Sequence, residues 1–118
     1  MAKVLVIDDS PMVRAVLLDY LDRLGHQSLA AASATEALSI CTASQPDLVI
    51  KDLYMADTDP TELMQDLRRC RANLPIVVCS TSGQKHEIFV AIQNGANDFL
   101  LKPFALQDVA TLIERYVG

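Results

Sequence analysis

A chain of 118 residues, 51 % of them apolar, is sized for one domain with its own hydrophobic core, and none of its apolar stretches approaches the roughly 20 residues that span a bilayer. Ten basic residues against fifteen acidic ones leave a net charge of -5, which argues against direct nucleic-acid binding, because neutralising phosphates needs a basic face. With no signal-peptide pattern at its N-terminus, the sequence reads as a soluble, cytoplasmic protein with no membrane segment, a single domain over residues 1–118.

Val4-Leu5-Val6-Ile7 is a continuous apolar run, the pattern of a strand buried on both faces of a parallel sheet, and it closes on Asp8-Asp9. Ser10 and Pro11 then supply an N-cap and a first helical residue, and Val13, Val16, Leu17, Leu21 and Leu24 recur at helical spacing up to Gly25. A second strand over Gln27–Ala31 has the faintest signal, since alanine and serine form strands poorly. Ser33 and Glu36 make a capping box ahead of Ala37, Leu38, Ile40 and Cys41. Leu48-Val49-Ile50-Lys51 closes on Asp52, and Asp59-Pro60-Thr61-Glu62 opens a third helix through Leu63, Met64 and Leu67. Ile76-Val77-Val78-Cys79 closes on Ser80, and a fourth helix is expected over residues 84–94, stopped by Gly95. One more strand leads into Leu100-Leu101-Lys102-Pro103-Phe104, and Leu106–Val117 carries an apolar stripe of Val109, Leu112, Ile113 and Tyr116.

Strand and helix alternate five times, and right-handed crossovers turn that order into a doubly wound α/β three-layer sandwich. Its functional site belongs at the carboxyl ends of the strands. There Asp8, Asp9 and Asp52 would meet the Ser80 hydroxyl, and crowded carboxylates repel and resist desolvation unless a cation joins them. Lys102 can supply one positive charge and a hard divalent ion such as Mg2+ the rest. Cys41, Cys70 and Cys79 stand far apart with no CxxC pair, so they read as buried, reduced, structural thiols rather than a zinc site. His26 and His86 stand alone, with no nucleophile to serve.

Taken in order, Asp8-Asp9, Asp52, Ser80 and Lys102-Pro103, each at the end of an expected strand, resemble the receiver domain of two-component response regulators, and the resemblance covers the whole chain. It implies a flavodoxin-like (βα)5 fold with a five-stranded parallel sheet ordered 2-1-3-4-5. It implies that Asp52 is the phosphoacceptor, taking a phosphoryl group from a histidine on a sensor histidine kinase or a histidine phosphotransfer protein. By the same resemblance Asp9 and Asp52 hold Mg2+ directly, with the backbone carbonyl of Tyr54 as a further ligand and Asp8 acting through water. Lys102 and Ser80 then bind phosphoryl oxygens, Phe99 is the aromatic switch, and Pro103 aims the lysine through a cis peptide. Such a domain is no ordinary enzyme: it catalyses its own phosphotransfer and slow autodephosphorylation. The signal is expected to leave through the fourth helix, fifth strand and fifth helix, where Ile88, Phe89 and Ile92 mix with Glu87, Gln93, Asp98, Glu114 and Arg115, to a homodimer or an output domain.

The family commonly reads Asp-x-x-Met-Pro-x-x-Asp-Gly where this chain reads Asp52-Leu53-Tyr54-Met55-Ala56-Asp57-Thr58-Asp59-Pro60, so Ala56 replaces the proline and Pro60 the glycine. Thr81 follows Ser80 where a small residue is common and narrows access to the phosphoryl group. By the resemblance, Tyr54 and Ser82 stand at positions that border the route of a hydrolytic water, and the phenol is expected to lengthen the phosphorylated state. A haloacid-dehalogenase-type phosphatase would need a second aspartate where Tyr54 stands. A flavodoxin would need a hydroxyl- and glycine-rich loop where Asp8-Asp9 stand, and a dinucleotide-binding domain a glycine-rich turn there. The remaining alternative is a non-phosphorylated pseudo-receiver that acts as a protein interaction module.

Overall fold

The computed structural model describes residues 1–81 and 83–117. Strands β1 (Lys3–Ile7), β2 (Gln27–Ala31), β3 (Leu48–Asp52), β4 (Ile76–Ser80) and β5 (Asp98–Leu101) form one parallel sheet in the order β2-β1-β3-β4-β5. Helices α1 (Pro11–Arg23), α2 (Ala34–Ser44), α3 (Pro60–Cys70), α4 (Lys85–Gln93) and α5 (Leu106–Val117) alternate with them. The flavodoxin-like architecture expected from the sequence is the one observed.

The continuous apolar runs are explained by two cores, one on each face of the sheet. Val4, Val6, Leu48, Ile50, Val77 and Cys79 pack against α1 and α5 through Leu17, Leu21, Val109, Leu112 and Ile113. The alternate residues Leu5, Ile7, Val49, Ile76 and Val78 pack against α2, α3 and α4 through Ala37, Cys41, Leu63, Met64, Leu67 and Ala91. Every apolar position of the central strands β1, β3 and β4 therefore loses its water, which is worth about 1.5–3 kcal/mol for each large aliphatic side chain.

Local chemistry sets the element ends. Ser10 caps α1 by accepting from the Val13 amide at 3.3 Å, and Pro11 fills the first helical position. Ser33 accepts from the Glu36 amide at 3.2 Å, while Glu36 reaches back to the Ala32 amide at 3.0 Å, one residue before the cap. Asp59 caps α3 through the amides of Thr61 and Glu62. Gly25 and Gly95 take positive φ values of 81° and 104° just beyond α1 and α4, a conformation that β-carbons disfavour. Two details differ from expectation. Val16 is exposed, and Cys70, the last residue of α3, has its side chain at the surface, because the helix ends at the rim of the core that its apolar stripe follows.

Registry then aligns the chemistry. Ile7 lies beside Lys51, Asp52 beside Cys79, and Ser80 beside Leu101, so Asp8, Asp52, Ser80 and Lys102 all fall on the carboxyl edge of the sheet. α1 leaves β1 on one face and α2 enters β3 from the other, which puts the reversal of winding between Asp8-Asp9 and Asp52.

Candidate functional site

Asp8 follows β1 directly and is 1 % exposed. Its Oδ1 accepts from the Ser10 amide at 2.9 Å and its Oδ2 from Lys102 Nζ at 3.0 Å, while Arg14 donates to its carbonyl at 2.8 Å. Lys102 Nζ also reaches Asp52 Oδ1 at 3.2 Å. The lysine is aimed by its own backbone: its amide donates to the Ser80 carbonyl at 2.8 Å, and the Lys102-Pro103 peptide is cis. Asp9 is exposed and its Oδ2 accepts from the Ala56 amide at 2.9 Å. One oxygen from each of Asp8, Asp9 and Asp52 lies within 4.8 Å of the others.

Negative charge is in excess in this cluster. Burial, then the Asp8 charge, push the Asp52 carboxyl above its ordinary value, with Asp9 adding to them and Lys102 opposing them. For Lys102, burial acts to lower the pKa, but the hydrogen bond to Asp8 and the charges of Cys79, Asp52 and Asp8 outweigh it, and the ammonium is held above its ordinary value. Three clustered carboxylates, two of them sharing one ammonium, with oxygen as the donor throughout, fit a hard divalent cation.

The family model for the response regulator receiver domain matches residues 4–114. The chain belongs to that family. It is 34 % identical, over 97 % of its length, to the probable C4-dicarboxylate response regulator DctR of Bacillus subtilis, and covers 51 % of that protein. It thus spans about half the length of that relative. It is 31 % identical to the chemotaxis protein CheY of the same organism over 96 % of this chain and 95 % of CheY. Among solved structures, the chemotaxis protein CheY4 of Vibrio cholerae superposes with a TM-score of 0.91 at 27 % identity, covering 98 % of each chain. The receiver domain of NtrX from Brucella abortus gives 0.90 at 29 % identity over 97 % of each.

In this receiver domain the sequence-derived residues separate into those that meet and those that stand apart. Asp8, Asp9, Asp52 and Lys102 converge. Ser80 is buried at the end of β4 beside them. Phe99 lies not at the end of β5 but at its second residue, beside Val78, and packs against the core under α2, α3 and α4, on the same sheet face as Ser80. Tyr54 points its side chain to solvent. Thr81 is exposed and joins Met12, Val13, Val16, Pro103 and Phe104 around an apolar groove of about 310 Å³ next to Lys102. Ser82 lies outside the described residues.

One residue of the receiver core carries no role in the sequence pattern, where it only extends a hydrophobic run. Lys51 is 1 % exposed, and its Nζ donates to the backbone carbonyl of Asp52 at 2.7 Å. Burial pushes its pKa down to about 8, against the upward pull of Cys79, Asp52 and Asp8. The signal was present in the sequence: a run whose every position must be buried contains a cation one residue before the strand-end carboxylate.

Proposed function

We propose that residues 1–118 form one phosphoacceptor receiver domain, in which Asp52 takes a phosphoryl group from a phosphohistidine of a sensor kinase or histidine phosphotransfer protein. The observation that carries this reading is the convergence of Asp8, Asp9 and Asp52 within 4.8 Å, with Lys102 3.2 Å from Asp52. Lys102 engages Oδ1 of Asp52, which leaves Oδ2 to attack phosphorus in line. As the new O–P bond forms, the P–N bond to the donor histidine breaks and its electron pair returns to the imidazole, which takes up a proton. Lys102 then moves its charge onto a phosphoryl oxygen, and the Ser80 hydroxyl donates to another. Asp9 and Asp52, with the Tyr54 carbonyl and with Asp8 through water, are the oxygen donors for Mg2+. When bound, the ion offsets the repulsion between an anionic nucleophile and an anionic phosphoryl donor.

The proposed signal route runs from Ser80 to Phe99 on one sheet face and out through α4, β5 and α5. Phe89, Ile92 and Leu101 are 59 %, 45 % and 50 % exposed there, a patch suited to a second copy or an output domain. The named relatives fit either layout: CheY is matched almost end to end, DctR over half its length. No helix among the described residues is long and apolar enough to cross a membrane.

Acetyl phosphate with Mg2+ tests the reading. The intact mass should rise by one phosphoryl group, about 80 Da, and fail to rise in Asp52→Asn. A wild-type chain that gains nothing would be a pseudo-receiver, and an Asp52→Asn chain that still gains the mass would move the acceptor elsewhere.

A further inference from the structure

Cys41 and Cys70 belong neither to the acidic cluster nor to the exposed α4, β5 and α5 face. Cys41 is buried near the end of α2, Cys70 is the exposed last residue of α3, and both are free thiols. The helices that carry them, α2 and α3, pack against each other, and Cys70 acts on the Cys41 thiol electrostatically. Both line a cleft of about 270 Å³ with Thr42, Gln45, Pro46 and Arg71. Thr42 Oγ1 stands 3.9 Å from the Cys70 sulfur, and the Arg71 guanidinium is fixed at the cleft by the Pro46 carbonyl at 2.7 Å. Cys79 is set apart in the core on the opposite face of the sheet, its thiol donating to the Lys51 carbonyl at 3.4 Å.

We propose that Cys41 and Cys70 are a peroxide-oxidisable dithiol pair that closes to a disulfide between the C-terminal ends of α2 and α3. Cys70, the accessible sulfur, meets the oxidant: its thiolate gives an electron pair to hydrogen peroxide, the O–O bond breaks, and a sulfenic acid and one water result. The Cys41 sulfur then attacks the Cys70 sulfur. The S–O bond breaks, the hydroxide leaves with the Cys41 proton as a second water, and the S–S bond forms. The two thiols together lose two electrons, and one peroxide becomes two waters. Burial first, then Cys70, push the Cys41 thiol up to about 12, so the exposed Cys70 is the first of the two to react. Arg71 favours loss of the Cys41 proton, against the burial that opposes it. The bridge encloses residues 42–69, and with them β3, Asp52 and the loop that leads to α3.

The reduced full chain treated with hydrogen peroxide and then alkylated in denaturant provides the test. Two of its three thiols should become protected with a mass loss of about 2 Da, dithiothreitol should restore them, and a proteolytic map should join Cys41 to Cys70 while Cys79 stays alkylated. The oxidised form should unfold at higher urea than the reduced one. In Cys70→Ser the protection should vanish. In Cys41→Ala, Cys70 should instead run on to sulfinic acid, which dithiothreitol does not reverse. The proposal is overturned by a cross-link that contains Cys79, by Cys70 pairing only between two chains on a non-reducing gel, or by wild-type sulfinic acid forming as fast as in Cys41→Ala.

Discussion

At position 56 the backbone offers an N–H that a proline could not, and Asp9 Oδ2 accepts it at 2.9 Å. The bond holds the exposed carboxylate in place, but it also occupies an oxygen that a cation would use. A hydrogen bond to a charged acceptor is worth about 1.5–3 kcal/mol, enough to compete with one metal–oxygen contact made in place of water. Ala56→Pro is therefore expected to free Asp9 and tighten Mg2+ binding several-fold in a fluorescence or calorimetric titration. Weaker binding would mean that the amide's main effect is to position Asp9. Lys51 raises the opposite question, because its cation lies next to the acids that favour it. Its pKa falls rather than rises, so burial outweighs their attraction and the charge is a net cost to the fold. Lys51→Met keeps the length and removes that cost. It should raise stability at neutral pH by about 1–3 kcal/mol in urea unfolding, and should strengthen divalent binding as well. A destabilised variant would show that the hydrogen bond to the Asp52 carbonyl matters more than the buried charge. Both residues lay in plain view in the sequence, yet only contact geometry assigns them: Ala56 was readable as a missing proline, whereas its bond to Asp9 depends on the path of the loop.

At the scale of elements, caps were the most legible feature. Ser10-Pro11, Ser33 with Glu36, and Asp59-Pro60 start α1, α2 and α3 where their side chains satisfy the first amides. Helix α4 runs one residue shorter at each end than its pattern suggested, over Lys85–Gln93. Strand order was not legible from the runs themselves, because a continuous apolar run states that a strand is covered on both faces but not which strand lies beside it. The resemblance of the motifs supplied the order. Two of the charges expected at a partner face pair with each other: Asp98 and Arg115 are engaged at 2.5 Å, and Tyr116 donates to Asp98 at 2.9 Å, which pins α5 to the start of β5. Burial acts to raise the Asp98 carboxyl, but the Phe99 amide, Tyr116 and Arg115 together hold it below its ordinary value. A depressed carboxylate stabilises the fold above the unfolded-state pKa, and that contribution is lost as pH falls through the folded value. Asp98→Asn should accordingly cost about 1 kcal/mol at pH 7, discounted for the partial exposure of the pair, and the gap should close as the pH is taken below the carboxylate range. Urea midpoints measured from neutral to acid pH check it; a gap that does not change with pH would remove the ion pair from the account.

For the whole molecule the question is how a change at the carboxyl edge reaches a surface. Ser80 and Phe99 share one face of the sheet, Ser80 beside Leu101 and Phe99 beside Val78, so the proposed movement of the Ser80 hydroxyl toward a phosphoryl oxygen would alter packing on the side that α4 covers. Close-packed interiors answer such a change by a discrete rearrangement rather than a graded one. Helix α4 is poised to take it up. Glu87 Oε2, in its first turn, is buried without a hydrogen-bond partner among the described residues, and Phe89 and Ile92 leave much of its outer face apolar and open to water. A rearrangement that pairs the carboxylate and buries the apolar patch against a second copy or partner gains on both counts. Beryllofluoride with Mg2+ should therefore change hydrogen exchange across α4, β5 and α5, and shift the sedimentation of the wild type or its binding to a partner. Phe89→Arg should abolish the change in association while leaving acetyl phosphate labelling of Asp52 intact, since Phe89 is an exposed residue of α4 and no member of the acidic cluster. Exchange changes confined to α1 and α2 would place the output at the β2 end of the sheet.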